Sequence, residues 1–290
     1  MSTITVGDAT ITRVEETPLA FPADAVLPGY SKGLVEEIGP QTIGQFMEID
    51  TELLKMHVHT WVLRTPQSTI LIDTCNGNHK TRSMELGHML DTDWLDRLAK
   101  AGVKPGEVDY VIITHIHLDH VGWNTSLVNG EWVPTFPNAK YVVNQTEYEF
   151  WNPSNPGQAA LEFNAGCFDD SIAPVFDRGM VQLWQNDVDI DGCLHLETYP
   201  GHTPGNAAAW LNSKGEHACF AGDTMHSPIQ VFRPDMNSGF DVDGPGAHAS
   251  RSKLLEQCVE RNALLMPAHF SAPHAYRVVP KGNAFTAVGI

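Results

Sequence analysis

Thr114-His115-Ile116-His117-Leu118-Asp119-His120 follows directly on the apolar run Tyr110-Val111-Ile112-Ile113. Four metal-ligating side chains packed this closely are poor material for an ordinary loop and good material for a binuclear metal site. In extended chain, alternate side chains point the same way, so His115 and His117 converge on one ion. Asp119 and His120 turn towards a second as the chain leaves the strand. Imidazole and carboxylate both suit zinc, which keeps a position open for water when its site is catalytic. A lone histidine at a strand end is usually a surface residue; this is a set.

Working outward, the same arrangement recurs three times. Pro200-Gly201-His202-Thr203-Pro204-Gly205-Asn206 follows the alternating strand Leu194 to Tyr199, and Ala221-Gly222-Asp223-Thr224 follows Ala218-Cys219-Phe220. His269 closes Ala263-Leu264-Leu265-Met266-Pro267-Ala268. Each ligand candidate lies where a hydrophobic strand gives way to a loop.

These residues closely resemble the metallo-β-lactamase superfamily, whose signature is HxHxDH followed by a Gly-His, a Gly-Asp and a late His. The likeness runs from about Thr60 to His269 and includes Leu71-Ile72-Asp73-Thr74, similar to the superfamily's early strand ending in Asp. It implies a four-layer αββα sandwich of the α/β class with metals at one edge of two sheets. It also implies that His115, His117 and His202 hold one ion, that Asp119, His120 and His269 hold the other, and that Asp223 bridges them. Asp73 comes too early to be a ligand in that pattern and is expected to orient a ligand histidine from behind. Two zinc ions, with iron, manganese or cobalt as other candidates, would be offset by Asp119, Asp223 and a hydroxide. About one positive charge then remains to stabilise an oxyanion.

Details of the set narrow the resemblance. The best-known true β-lactamases of the superfamily lack a bridging aspartate, and flavodiiron enzymes replace the second histidine with glutamate; Asp223 and His117 depart from both. Glyoxalase II-type thioesterases usually carry a basic C-terminal region, unlike Lys281-Gly282-Asn283-Ala284-Phe285. What remains looks most like the quorum-quenching lactonase and methyl parathion hydrolase-like group. The expected activity is hydrolysis of a small, partly apolar lactone or ester by zinc-activated hydroxide, with Asp119 shuttling a proton to the leaving group. A phosphotriester or thioester hydrolase and a mononuclear iron dioxygenase stand as alternatives, and a non-catalytic metal-binding protein as a third.

Composition agrees with one such domain over residues 1–290, since large α/β and sandwich domains run this long. A hydrophobic content of 42% supplies a core, and a net charge of -17 argues against a nucleic-acid partner. No apolar stretch approaches membrane-spanning length, and the N-terminus has neither the positive start nor the apolar core of a signal peptide. Five scattered cysteines without a CxxC pair fit reduced thiols, so the expected location is cytoplasmic.

Strand and helix signals alternate in two blocks. Strands are predicted at Ala9 to Val14, His57 to Leu63, Thr69 to Ile72 and Tyr110 to Ile113, with a helix over Asp93 to Ala101 stopped by Gly102. Further strands are predicted at Lys140 to Val143, Leu194 to Tyr199, Asn206 to Leu211 and His217 to Phe220, and a helix over Ser250 to Glu260. Pro18 to Gln45, Asn152 to Asp177 and Ser227 to Ala247 lack periodicity and are expected to form pocket walls. Their aromatics suggest an apolar portion in a small-molecule substrate, and the 18–45 arm is a candidate homodimer contact.

Some residues are set aside. His57-Val58-His59 repeats the HxH spacing without the following Asp-His and reads as ordinary strand. His226, three residues after Asp223, reaches the pocket in one reading and assists the substrate or leaving group; in the other it is a plain loop histidine. Trp123 reads as a wall of the site or as core. Tyr30 and Tyr148 are the candidates for a pocket tyrosine.

Overall fold

The computed structural model describes residues 3–155, 161–282 and 284–290. Residues 156–160 of the predicted 152–177 wall, Asn283 of the C-terminal run and the first two residues lie outside it. The chain divides into two compact units, residues 1–17 with 58–191 and residues 18–57 with 192–290.

The first unit is built on a sheet with strands in the order β1 (Thr3–Val6), β2 (Ala9–Pro22), β3 (Leu53–Arg64), β4 (Thr69–Ile72), β5 (Tyr110–Ile112), β6 (Lys140–Asn144) and β7 (Val181–Trp184). The strands β4, β5, β6 and β7 pair in parallel. The apolar runs of β4, β5 and β6 are continuous rather than alternating because such strands are covered on both faces. Val111, Ile112, Tyr141, Val142 and Val143 are accordingly buried. The helix Trp94–Lys100 lays Trp94 and Leu98 inward, and Gly102, at φ +77°, ends it as predicted.

The second unit carries a sheet in the order β8 (Leu194–Thr198), β9 (Ala207–Ser213), β10 (Glu216–Phe220), β11 (Leu264–Met266), β12 (Tyr276–Lys281) and β13 (Ala284–Gly289). Only β10 and β11 are parallel within this run. The helix Gly244–Glu260 buries Leu254, Leu255 and Cys258 in a cluster with Tyr199, Trp210 and Leu265. It starts six residues before the predicted position, because Pro245 sits in the first turn, where its missing N–H costs nothing. The 18–45 arm holds three short helices, Ala23–Val26, Gly33–Ile38 and Pro40–Ile43, whose Val26, Leu34 and Ile43 form a second core with Ile229 and Met236.

In both units candidate site residues follow the ends of parallel strands. Asp73 follows β4 and Thr114-His115 follows β5; Gly222-Asp223 follows β10 and His269 follows β11.

Candidate metal centre

In the first unit, β5 delivers the histidine run and Asp73 fixes its geometry. The Asp73 carboxylate accepts from Thr114 N and Thr114 Oγ1, each at 2.8 Å, and lies 2.8 Å from His120 Nδ1. With the His120 proton on Nδ1, its Nε2 faces away from Asp73 as a lone pair that could hold a metal. His115 Nε2 and His117 Nδ1 stand 3.0 Å apart, and the His115 and His120 rings are 4.0 Å apart. Between them the backbone is pinned: Ile116 N donates to Glu147 Oε1 at 2.8 Å, and Ile116 O accepts from Asn164 Nδ2 at 2.8 Å. The short helix Leu118–Val121 carries Asp119, whose Oδ2 is 3.7 Å from His120 Nε2. Its side chain is 23% exposed, whereas the His120 side chain is at 1%.

Behind this run, Glu16 is buried and collects Asn76 N, Asn76 Nδ2, Gly77 N and Trp123 Nε1 at 2.6–3.2 Å. Burial pushes its carboxyl up and these donors pull it back, burial prevailing. The Glu16 carboxylate thus anchors the 75–77 loop. Trp123 stacks on Trp94 at 5.4 Å and belongs to the core.

In the second unit three imidazoles surround one carboxylate. His202 Nε2 lies 3.5 Å and His226 Nε2 3.2 Å from Asp223 Oδ2, and His269 Nε2 is 3.1 Å from Asp223 Oδ1. All four residues are buried. On the far side of the rings, His202 Nδ1 meets Asp241 Oδ1 at 3.1 Å and His269 Nδ1 meets the His57 carbonyl at 2.9 Å. Both partners only accept, which places each ring proton on Nδ1. Burial draws the His202 imidazole below its usual range, against the pull of Asp241, so the neutral ring is favoured. Neutral His202 therefore points its Nε2 lone pair at a carboxylate that His269 Nε2 also faces, an arrangement that calls for a cation among them. The donor set, imidazole nitrogen with carboxylate oxygen in a buried setting, is the kind zinc takes.

Local chain geometry explains the approach of these groups. Gly201 has φ +137°, and a Cβ there would lie 2.0 Å from Ala247 N, so only glycine lets the ligand loop pass the start of the helix. The strand histidine set aside on sequence has a backbone role: His57 N donates to His269 O at 3.1 Å while its carbonyl holds His269 Nδ1.

Within the first unit the structure brings together His115, His117, Asp119 and His120; within the second, His202, Asp223, His226 and His269. The His226 ring lies 4.9 Å from that of His202. Tyr148 packs on Phe168 and Phe176, and Tyr30 lines a separate surface cavity of about 370 Å³ with Lys32 and Glu52. Phe46, Phe232 and Phe240 pack with the 18–45 helices. Sequence reasoning missed Glu147, Asp241 and Arg251. Asp241 is one of several acidic residues in a Gly/Pro-rich stretch, so no periodicity marks it.

Residues 55–269 match the family model of the metallo-β-lactamase superfamily. The N-acyl homoserine lactonase of Bacillus thuringiensis is 26% identical over 227 residues, which cover 72% of this chain and 79% of that protein. Among solved structures, the hydrolase AbOPH of the β-lactamase superfamily superposes with a TM-score of 0.82 at 25% identity, covering 99% of this chain and 96% of its own. AidC, a dizinc quorum-quenching lactonase in complex with a homoserine product, gives 0.80 at 20% identity, covering 100% and 97%. Its likeness speaks for the fold.

Proposed function

Since the chain belongs to the metallo-β-lactamase superfamily, whose mixed α/β fold it has, we propose that its two half-sites form one binuclear zinc centre hydrolysing a small, partly apolar lactone or ester. The family match runs through both half-sites. In this reading His115, His117, His202 and Asp223 make one donor set and Asp119, His120 and His269 the other. Asp223 would hold both ions, as the resemblance implies. The observation that carries the proposal is the Asp223 carboxylate facing the Nε2 atoms of His202 and His269.

Zinc bound there would supply a nucleophile at neutral pH by lowering the pKa of its water to about 7. The chain's own residues do the rest. Asp119, the most exposed carboxylate of the set, can accept the proton of the attacking water and return it to the leaving oxygen. In this reading His226, with Nε2 3.2 Å from Asp223, assists that same oxygen. Water adds across the acyl C–O bond, so a lactone becomes a hydroxy acid and an ester an acid and an alcohol. The lactonase identity of the Bacillus relative supports a lactone as first substrate.

Among the described residues no helix is long and apolar enough to cross a membrane. A cytoplasmic location belongs to the same proposal and is supported by five free cysteines; a homodimer through the 18–45 arm belongs to it as well.

The test is metal content per chain on purified protein, with turnover of lactones, aryl esters, thioesters and phosphotriesters. About two zinc ions and turnover of one ester class are expected. Asp223→Ala should lose one ion and more than ~100-fold in turnover, beyond the loss typical for an outer residue. Two ions and full turnover in that variant would overturn the ligand assignment. One iron and no hydrolysis in the parent would overturn the function.

A further inference from the structure

Behind His202 lies a buried chain of charge that the ligand pattern does not contain. His202 Nδ1 is 3.1 Å from Asp241 Oδ1, and the other oxygen of that carboxylate accepts from Ser238 N at 2.8 Å and from Arg251 Nη2 at 3.4 Å. The side chains of His202 and Asp241 are each 1% exposed, and that of Arg251 is at 0%. Arg251 also donates to backbone: Nε to Thr224 O at 2.9 Å, and Nη1 to Pro234 O and Met236 O at 2.7 and 2.9 Å. One guanidinium therefore grips the residue after Asp223 and the carboxylate behind His202. The backbone brings Asp241 to its place, since Val242 N donates to His202 O at 3.0 Å and Asp243 N to Gly201 O at 2.8 Å.

Buried ion pairs are weak sources of stability, because desolvation consumes most of the attraction. Apolar packing would close this part of the unit as well. What packing cannot do is dictate which nitrogen of His202 carries the proton. A carboxylate that only accepts, and is itself held by two donors, dictates it.

We propose that Asp241, held by Arg251, is the positioning residue that fixes the metal-binding face of His202. It keeps the ring proton on Nδ1 and aims Nε2 at Asp223. This rests on the reading of His202 as a zinc ligand. The helix residue Arg251 makes the carboxylate rigid and ties its position to that of Asp223.

The test uses the full-length protein with Asp241→Ala and Asp241→Asn. Zinc affinity is measured by competition with a chromophoric chelator, and the His202 ring proton is located by 15N NMR on metal-free protein. In the parent, the proton is expected on Nδ1. Asp241→Ala should shift it towards Nε2 and weaken the tighter-competing zinc by about 10–100-fold. Asp241→Asn keeps one acceptor oxygen but turns an amide N–H2 towards either His202 or the Ser238 and Arg251 donors, so an intermediate loss is expected. Should Asp241→Ala fail to fold, Asp241→Asn decides by the same two readouts. Unchanged affinity in the variants, or a parent His202 protonated on Nε2, would overturn the proposal. A parent that binds no zinc but shows the Asp241-dependent proton position would overturn the metal reading and leave the positioning role standing.

Discussion

Lys80 shows what a single residue can cost a fold. Its side chain is fully buried in the first unit, with Nζ 2.8 Å from Thr125 Oγ1, 3.3 Å from Asp170 Oδ1 and 3.7 Å above the centre of the Trp132 ring. Arg82 shares the same carboxylate, its Nη1 2.6 Å from Asp170 Oδ2. Burial lowers the ammonium pKa to about 8; Asp170 opposes the shift and Arg82 adds to it. Between pH 8 and 10.5 the native protein has shed this proton while the unfolded chain still holds it. The unfolded state binds more protons there, so stability rises with pH through that window, and the burial penalty is fully present below it. Lys80→Met leaves Asp170 paired with Arg82 and removes the titration. Unfolding free energies at pH 7.5 and 10 should show the parent gaining about 2 kcal/mol more than the variant over that interval. Parallel pH profiles for the two proteins would disprove the coupling.

At the scale of elements, the fold turns on strand ends and on the loops that cross them. Gly122 follows the ligand helix Leu118–Val121 and touches the 75–77 loop so closely that a Cβ would lie 1.7 Å from Asn76 O. Gly122 N donates to Cys75 O at 2.7 Å and Trp123 N to Thr74 O at 2.8 Å, so the loop and the ligand helix are stitched together. Gly122→Ala cannot be absorbed by a flexible side chain, since backbone is the obstacle. We expect a loss of about 3 kcal/mol or more, at the upper end for single substitutions, together with weakened metal binding as His120 is displaced. Denaturant unfolding and metal titration measure the two effects; a variant within 1 kcal/mol of the parent would contradict the close approach. Such crossings are poorly legible in sequence, where Gly122 is one glycine of 24. The strands were readable: Thr69–Ile72 and the run from Tyr110 announce themselves as unbroken apolar stretches bounded by turn residues. The helices within 18–45 were not, because three elements of four to six residues are too short for a 3.6-residue period to emerge. The candidate ligands were legible because each follows an apolar strand, four of them within the single run 115–120. Asp241, Arg251 and Glu147 were not, because each acts on a partner distant in sequence and sits in no motif.

For the whole molecule, the candidate ligands fall at residues 115–120, 202, 223 and 269, widely separated along the chain. An unfolded chain does not hold such a set in register, so bound metal stabilises the native state by mass action. A net charge of -17 adds to this, because cations at the site relieve part of the self-repulsion of an acidic protein. At a free zinc concentration a thousand times the dissociation constant, linkage gives about 4 kcal/mol per site. For a chain of this size that corresponds to roughly 10 °C in Tm. Stripping both ions with a chelator, dialysing the chelator away and recording thermal unfolding should therefore lower Tm by about 20 °C, twice the single-site shift. Adding back two equivalents of zinc should restore it; magnesium, which prefers oxygen ligands and retains its waters, should not. If the chelated and reloaded proteins melt together, the buried imidazole and carboxylate cluster owes its geometry to the polypeptide alone. The charge argument at Asp223 would then have to be met by protons instead of metal.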